Sequence, residues 1–155
     1  MSSTRTLVIA GLALGLLAGC GDDEDEQSGL SKTEYIAKAN ASCARHERAA
    51  GAAFDRIVGG GRTTAAESQR FLSEAVVPAL RDGTAERADL PAPEGDGNEI
   101  DAINAAARRA VAEFSRIASD RSRSAALMRG AEPDPAKKVD ALNRRYGIDK
   151  CGGGE

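Results

Sequence analysis

Tryptophan is absent from this chain, and three Phe and two Tyr are its only aromatic residues. A core built on large rings is therefore excluded. So is a stacking platform for single-stranded nucleic acid, which needs successive exposed rings. Histidine occurs once, at His46. A single imidazole rules out the paired Glu-x-x-His motifs of carboxylate-bundle metal centres and the His-Glu-x-x-His helix of zinc proteases. No nucleophile-elbow, Walker-type or dinucleotide-binding glycine pattern occurs either. Gly59-Gly60-Gly61 resembles a phosphate loop in glycine content alone. It follows a helical pattern, not a strand, and lacks the lysine. No segment shows the strict alternation of a half-buried strand.

Long apolar runs are scarce as well. The one uncharged apolar stretch, Leu7 to Ala18, is too short to span a bilayer, which takes about 20 residues. It follows a single early charge, Arg5, and fits the h-region of a signal peptide. It ends Leu17-Ala18-Gly19-Cys20, an aliphatic residue and two small ones before a cysteine. That order resembles the lipobox of bacterial lipoproteins, whose cysteine thiol is the nucleophile that accepts a diacylglyceryl group. The resemblance implies cleavage after residue 19 and lipidation at Cys20. Two acyl chains hold a protein stably on a membrane, so the expected location is the outer face of the cell membrane.

The chain carries 21 basic and 24 acidic residues. Loss of residues 1–19 removes only Arg5 and moves the net charge from -3 to -4. Five acids stand together in Asp22-Asp23-Glu24-Asp25-Glu26. Without them the remainder is close to neutral. Adjacent like charges repel and stay solvated, so residues 20–29 read as the lipidated cysteine and a flexible acidic linker. Residues 30–155 read as one domain.

Alanine is abundant in that domain. It favours helices but buries little area per residue, so the core should be thin. Cysteine arithmetic supplies a covalent supplement. Three cysteines are odd for an exported protein, but Cys20 is taken by lipid. Cys43 and Cys151 remain, and an oxidising compartment favours a disulfide between them. Such a bond closes a loop of about 107 residues, worth roughly 4–5 kcal/mol in the chain-entropy model. Two free thiols are the alternative.

Helical spacing recurs along the domain. Ser31 to Glu34 and Thr64 to Glu67 have the capping-box pattern. After the first, Ile36, Ala39, Cys43, Ala50, Phe54 and Ile57 share a face, and the glycine triplet ends the helix at Val58. After the second come Phe71, Leu72, Ala75, Val76 and Leu80, with Pro78 inside the pattern as an expected kink or break. Leu90 to Gly97 reads as a stop. Ile100, Ile103, Ala107, Val111, Phe114 and Ile117 form the clearest stripe, and that helix is expected to reach about Met128, with the polar stretch Ser119 to Ser124 as the place where it can fray or bend. Asp134-Pro135 reads as an N-cap with proline at the first helical position. Gly147-Ile148 reads as a left-handed C-cap. The predicted fold is all-α, an antiparallel bundle of about four helices.

Three segments, Ser31 to Cys43, Leu90 to Pro93 and Tyr146 to Gly152, carry a wider likeness. The patterns S-K-x-E-Y-I-x-x-A-x-A-x-C and Y-G-I-x-x-C-G around a Pro-rich turn resemble uncharacterised small lipoproteins of high-GC actinobacteria. The resemblance implies a helical, disulfide-tied extracytoplasmic domain and no activity.

Chemistry is sparse. His46 lies one helical turn from Cys43, which allows three readings: a nucleophile–base pair, half of a zinc site, or a disulfide cysteine beside a bystander imidazole. The zinc reading lacks further ligands, and the nucleophile reading needs a reduced Cys43. No catalytic residue, metal ligand or cofactor is expected. The basic pairs Arg108-Arg109, Lys137-Lys138 and Arg144-Arg145 read as solvated faces, with anionic lipid or wall polymer as a possible contact. The expected function is a non-catalytic binding or interaction module of the cell envelope, contacting an envelope protein, wall polymer or small ligand and no nucleic acid. The alternative is a Cys/His-dependent redox protein or enzyme. An apolar pocket between the second and third helices, near Pro78, would favour a ligand carrier.

Overall fold

The structure, a computed structural model, describes residues 29–152. The proposed signal peptide, Cys20 and the acidic run lie outside the described residues. Helix α1 spans Lys32–Val58 and α2 spans Ala65–Phe71. A π-helical turn, Leu72–Val76, leads directly into α3, Val77–Ala88. Helix α4 covers Gly97–Ala118, α5 covers Arg121–Met128 and α6 covers Lys137–Tyr146. Every regular element among the described residues is helical, as the sequence implies.

The caps at the first two helices form as their sequences dictate. Ser31 Oγ accepts the Glu34 amide at 3.3 Å, and the Glu34 carboxylate accepts the Ser31 amide at 3.0 Å. Thr64 and Glu67 repeat the arrangement at 3.2 and 2.8 Å. Each box satisfies two backbone donors that a helix start leaves free. Helix α1 ends where Gly59 turns left-handed at φ 64°. At the end of α6, Gly147 adopts φ 99°. Its amide donates to the Arg144 carbonyl, and the Ile148 amide donates to the Asn143 carbonyl at 2.8 Å. These are the two bonds of a Schellman motif, and its Ile148 is fully buried.

Pro78 does not break the second helical segment. It sits at the start of α3, directly after the π-turn, in which the Val77 amide donates back to the Leu72 carbonyl. Proline supplies no amide and its ring crowds the preceding turn. A one-residue widening just before it accommodates that crowding, so α2 and α3 run on without a gap.

Two boundaries differ from the spacing-based expectation. The third predicted helix stops at Ala118 instead of Met128. Asp120 caps a separate helix by accepting the Ser122 and Arg123 amides at 2.8 and 2.9 Å. The end of α4 is closed by other elements: Ser124 Oγ donates to the Ile117 carbonyl at 2.9 Å and Gln69 Nε2 to the Ala118 carbonyl at 3.2 Å. The last helix begins at Lys137, after Ala136. Asp134 still accepts the Ala136 amide at 2.8 Å, but it closes a turn before the helix.

The core runs along α4. Ile100, Ile103, Ala107, Phe114 and Ile117 are buried there, against Leu72 and Val77 and against Val139 and Ile148. Tyr35, outside the expected stripe of α1, is fully buried. Its ring meets Tyr146 edge-on, with centroids 6.0 Å apart. Phe54 and Phe71 form a second edge-on pair at 5.1 Å that joins α1 to α2. Four of the five large rings thus form two pairs that join α1 to other helices, and the fifth, Phe114, is buried on α4.

Cys43 and Cys151 form a disulfide with Cα atoms 5.0 Å apart. It fastens the segment after α6 to the middle of α1. The Lys150 amide donates to Asn40 Oδ1 at 2.9 Å beside it.

Candidate functional site

A cleft of about 210 Å³ opens beside the disulfide. The π-turn and α3 form one apolar side with Val76, Ala79 and Leu80, and α4 forms the other with Ala107, Ala110 and Val111. The cleft therefore lies between the second and third predicted helices, next to Pro78, where a ligand carrier would need it. Val139 and Asn143 of α6 and, after it, Cys151 and Gly152 also line the cleft. From α1 come Cys43, His46 and Ala50. Alanines at the contact positions leave the space: each contributes one carbon where a leucine would fill the gap between helices.

The cleft has one unusual polar member. Arg87 is 8% exposed, yet no carboxylate among the described residues lies within ion-pair distance of it. Its Nη1 donates to the Cys43 sulfur at 3.1 Å, and its buried Nε has no hydrogen-bond partner among the described residues. Sulfur is a weak acceptor, so the guanidinium is under-satisfied. Burial lowers its proton affinity, while the phenol of Tyr35 and the carboxylate of Glu86 act in the opposite sense.

Glu86, the adjacent residue, is committed elsewhere. It accepts from Ser42 Oγ at 2.5 Å and Arg45 Nη2 at 2.6 Å. The Ser42 hydroxyl is the main cause that holds its carboxyl below the ordinary range. His46 Nε2 lies 3.2 Å from the other Glu86 oxygen but is out of line for a hydrogen bond. The imidazole packs on Gly83, where an added Cβ would stand 3.0 Å from the ring. Glycine at that position lets α3 approach α1 at the cleft.

At the opposite wall Asp140 is half-buried. Burial raises its carboxyl above the usual value, as does Asp134, while Arg144 acts the other way. Arg87 donates to the Cys43 sulfur and to no carboxylate among the described residues, so Asp140 is not the missing counter-ion. Two more buried acceptors, Asn143 Oδ1 and Asn104 Oδ1, have no partner among the described residues, and neither does the Tyr35 hydroxyl.

Cys43, Cys151 and His46, the residues that the sequence singles out, therefore meet at one cleft. Cys43 and His46 do not act as a thiol–imidazole pair, because the sulfur is bonded to Cys151. Among the described residues no three His, Cys, Asp or Glu side chains converge, and no helix is long and apolar enough to cross a membrane. Arg87 is not among the residues that motif and spacing single out. Its signal is nevertheless present: it falls at helical spacing after Leu72, Val76, Leu80 and Gly83, a charge placed on an apolar stripe.

Comparison with protein families, with curated proteins and with solved structures finds no match for this chain.

Proposed function

We propose that this chain is a non-catalytic, lipid-anchored binding protein of the cell envelope, with the cleft beside the disulfide as its ligand site. The observation that carries the reading is the cleft itself, open, apolar and holding an under-satisfied Arg87. Binding sites combine an apolar wall with a few converging polar groups, and this cleft has that make-up. At about 210 Å³ it is smaller than the roughly 300–1,000 Å³ typical of drug-sized ligands. Its ligand is therefore small.

The lipobox at Leu17 to Cys20 supports anchoring at the outer face of the membrane, with residues 21–29 as the spacer. On this reading the chain is one of the actinobacterial lipoproteins that it resembles. The competing reading, a Cys/His-dependent redox protein or enzyme, needs a free thiol at Cys43, and the bond to Cys151 withholds it.

Two measurements test the proposal. Cys20→Ala should move the protein out of the membrane fraction or leave its precursor unprocessed; unchanged membrane retention of a processed chain overturns the anchor. Mature protein in lipid nanodiscs should bind the neutral probe cyclohexanemethanol by calorimetry, and Ala79→Phe, which fills the cleft, should abolish binding. Equal binding by both proteins overturns the site.

A further inference from the structure

We infer that the cleft takes a small aliphatic carboxylic acid in its ionised form, with the carboxylate paired to Arg87 and the hydrocarbon body against α3 and α4. This rests on the binding role proposed above and specifies its ligand.

The pattern of ion pairs sets Arg87 apart. Lys32, Arg45, Arg70, Arg116, Arg123 and Arg145 each have a carboxylate within reach. All six of those side chains are at least 38% exposed. Arg87 is far more buried and has none among the described residues. Other cations without a carboxylate in reach, such as Lys38, Arg56 and Arg109, are exposed and solvated. A buried charge is stable only when paired and hydrogen-bonded, and Arg87 is the one buried cation among the described residues. An anion in the cleft supplies its counter-ion.

The guanidinium also selects the head group. Its planar fork matches a carboxylate through two parallel hydrogen bonds, and its buried Nε has no protein acceptor among the described residues. A doubly charged phosphate fits less well. Arg87 is the only buried cation lining the cleft, and Lys150 at the mouth is exposed. Glu47 and Asp140 also line it and repel additional negative charge. His46, the remaining titratable neighbour, faces Glu86.

The wall selects the body. Val76, Leu80, Val111 and Val139 are aliphatic, and among the described residues no Phe or Tyr lines the cleft. A flat ring finds no broad stacking partner there, whereas a saturated chain or ring fills the space. A role for Arg87 in holding the Cys43 sulfur alone does not explain its charge, because a neutral donor makes the same bond.

The test uses mature protein in nanodiscs and three probes of one shape: cyclohexanecarboxylate, cyclohexanemethanol and cyclohexylmethylammonium. Wild type should bind the carboxylate at least about tenfold more tightly than the alcohol and should not bind the ammonium, a charge-assisted bond being the stronger kind. Arg87→Met should bring carboxylate and alcohol to parity. Arg87→Lys, which keeps the charge and loses the fork, should retain only part of the preference. Equal affinity of wild type for acid and alcohol overturns the inference while leaving the binding site standing. So does an acid preference that survives Arg87→Met. Absence of binding by every probe overturns both the inference and the binding role.

Discussion

Nη1 of Arg87 lies 3.1 Å from the sulfur of Cys43, so the least satisfied cation of the domain touches the bond that closes it. The contact places the cation of the proposed ligand site beside a structural bond. They should separate under mutation. Arg87→Met keeps the length of the side chain and removes an unpaired buried charge. It should raise unfolding free energy by about 1–3 kcal/mol in urea titrations, while removing acid binding. A loss of stability would show that the guanidinium supports the fold.

The disulfide should behave in the opposite way. Cys43→Ala with Cys151→Ala should cost about 2–5 kcal/mol, since the thin, alanine-rich core has little reserve. Cys151 and Gly152 line the cleft, so probe binding should weaken as well. Urea midpoints with and without reductant, read beside the double variant, check both statements. Reduced wild type should behave as the variant does.

Two glycines should respond with opposite signs. Gly51 is an exposed position inside α1, and a Cβ there meets nothing within 4 Å. Gly51→Ala should stabilise by about 0.5–1 kcal/mol, the usual helix-propensity difference. Gly147 has φ 99°, and a Cβ there would stand 3.2 Å from Ile36 Cδ1. Gly147→Ala should destabilise by about 1–2 kcal/mol and loosen the segment that carries Cys151. Thermal melts of the two single variants provide the comparison.

Stability should fall at both ends of the pH scale. Glu86, Asp96 and Glu113 have carboxyl groups held below their ordinary values, chiefly by Ser42, Tyr146 and Arg116 in turn. They bind protons less tightly when folded. Their contribution is complete above the unfolded range near pH 4 and is lost as pH falls through the lower folded values. Burial raises the phenols of Tyr35 and Tyr146, and the Asp96 carboxylate raises Tyr146 further. Above about pH 10 the unfolded chain releases these protons first, so stability drops as pH rises. Tyr146→Phe should flatten the alkaline limb while lowering the neutral plateau, because it deletes the 2.6 Å bond to Asp96. Asp140 runs against the acid trend. Its raised carboxyl favours the folded state at low pH and loses that advantage as pH rises. Asp140→Asn should therefore raise the urea midpoint at pH 7 and leave it unchanged near pH 3.

Much of the fold is legible in the sequence because local chemistry decides it. Ser31 and Thr64 cap the two helix starts predicted for them, Gly59 and Gly147 mark two ends, and cysteine parity points to Cys43 and Cys151. The break after Ala118 is partly legible. The polar stretch Ser119 to Ser124 reads as a place to fray or bend, and Asp120 supplies a local cap there. The stop is completed by Gln69 and Ser124 reaching the last carbonyls of α4. Tyr35 escapes notice because the apolar stripe passes through Ile36, one residue along, and packing against Tyr146 fixes the rotation. The start of α6 at Lys137 is easily misplaced because Asp134 has the side chain of a cap and uses it in a turn. The cleft follows a similar division. Spacing marks the region near Pro78 as a place to look for an apolar pocket but does not show that one exists, and the isolation of Arg87 depends on Glu86 being taken by Ser42 and Arg45.

Binding of a small ligand beside the disulfide is the central claim. Amide and methyl chemical shifts of the mature, oxidised protein, titrated with cyclohexanecarboxylate, test it most directly. Saturable shifts concentrated at Ala79, Leu80, Arg87, Ala110 and Val111, abolished by Ala79→Phe, are the predicted result. Shifts scattered over the surface, or the same shifts in the filled variant, would contradict it.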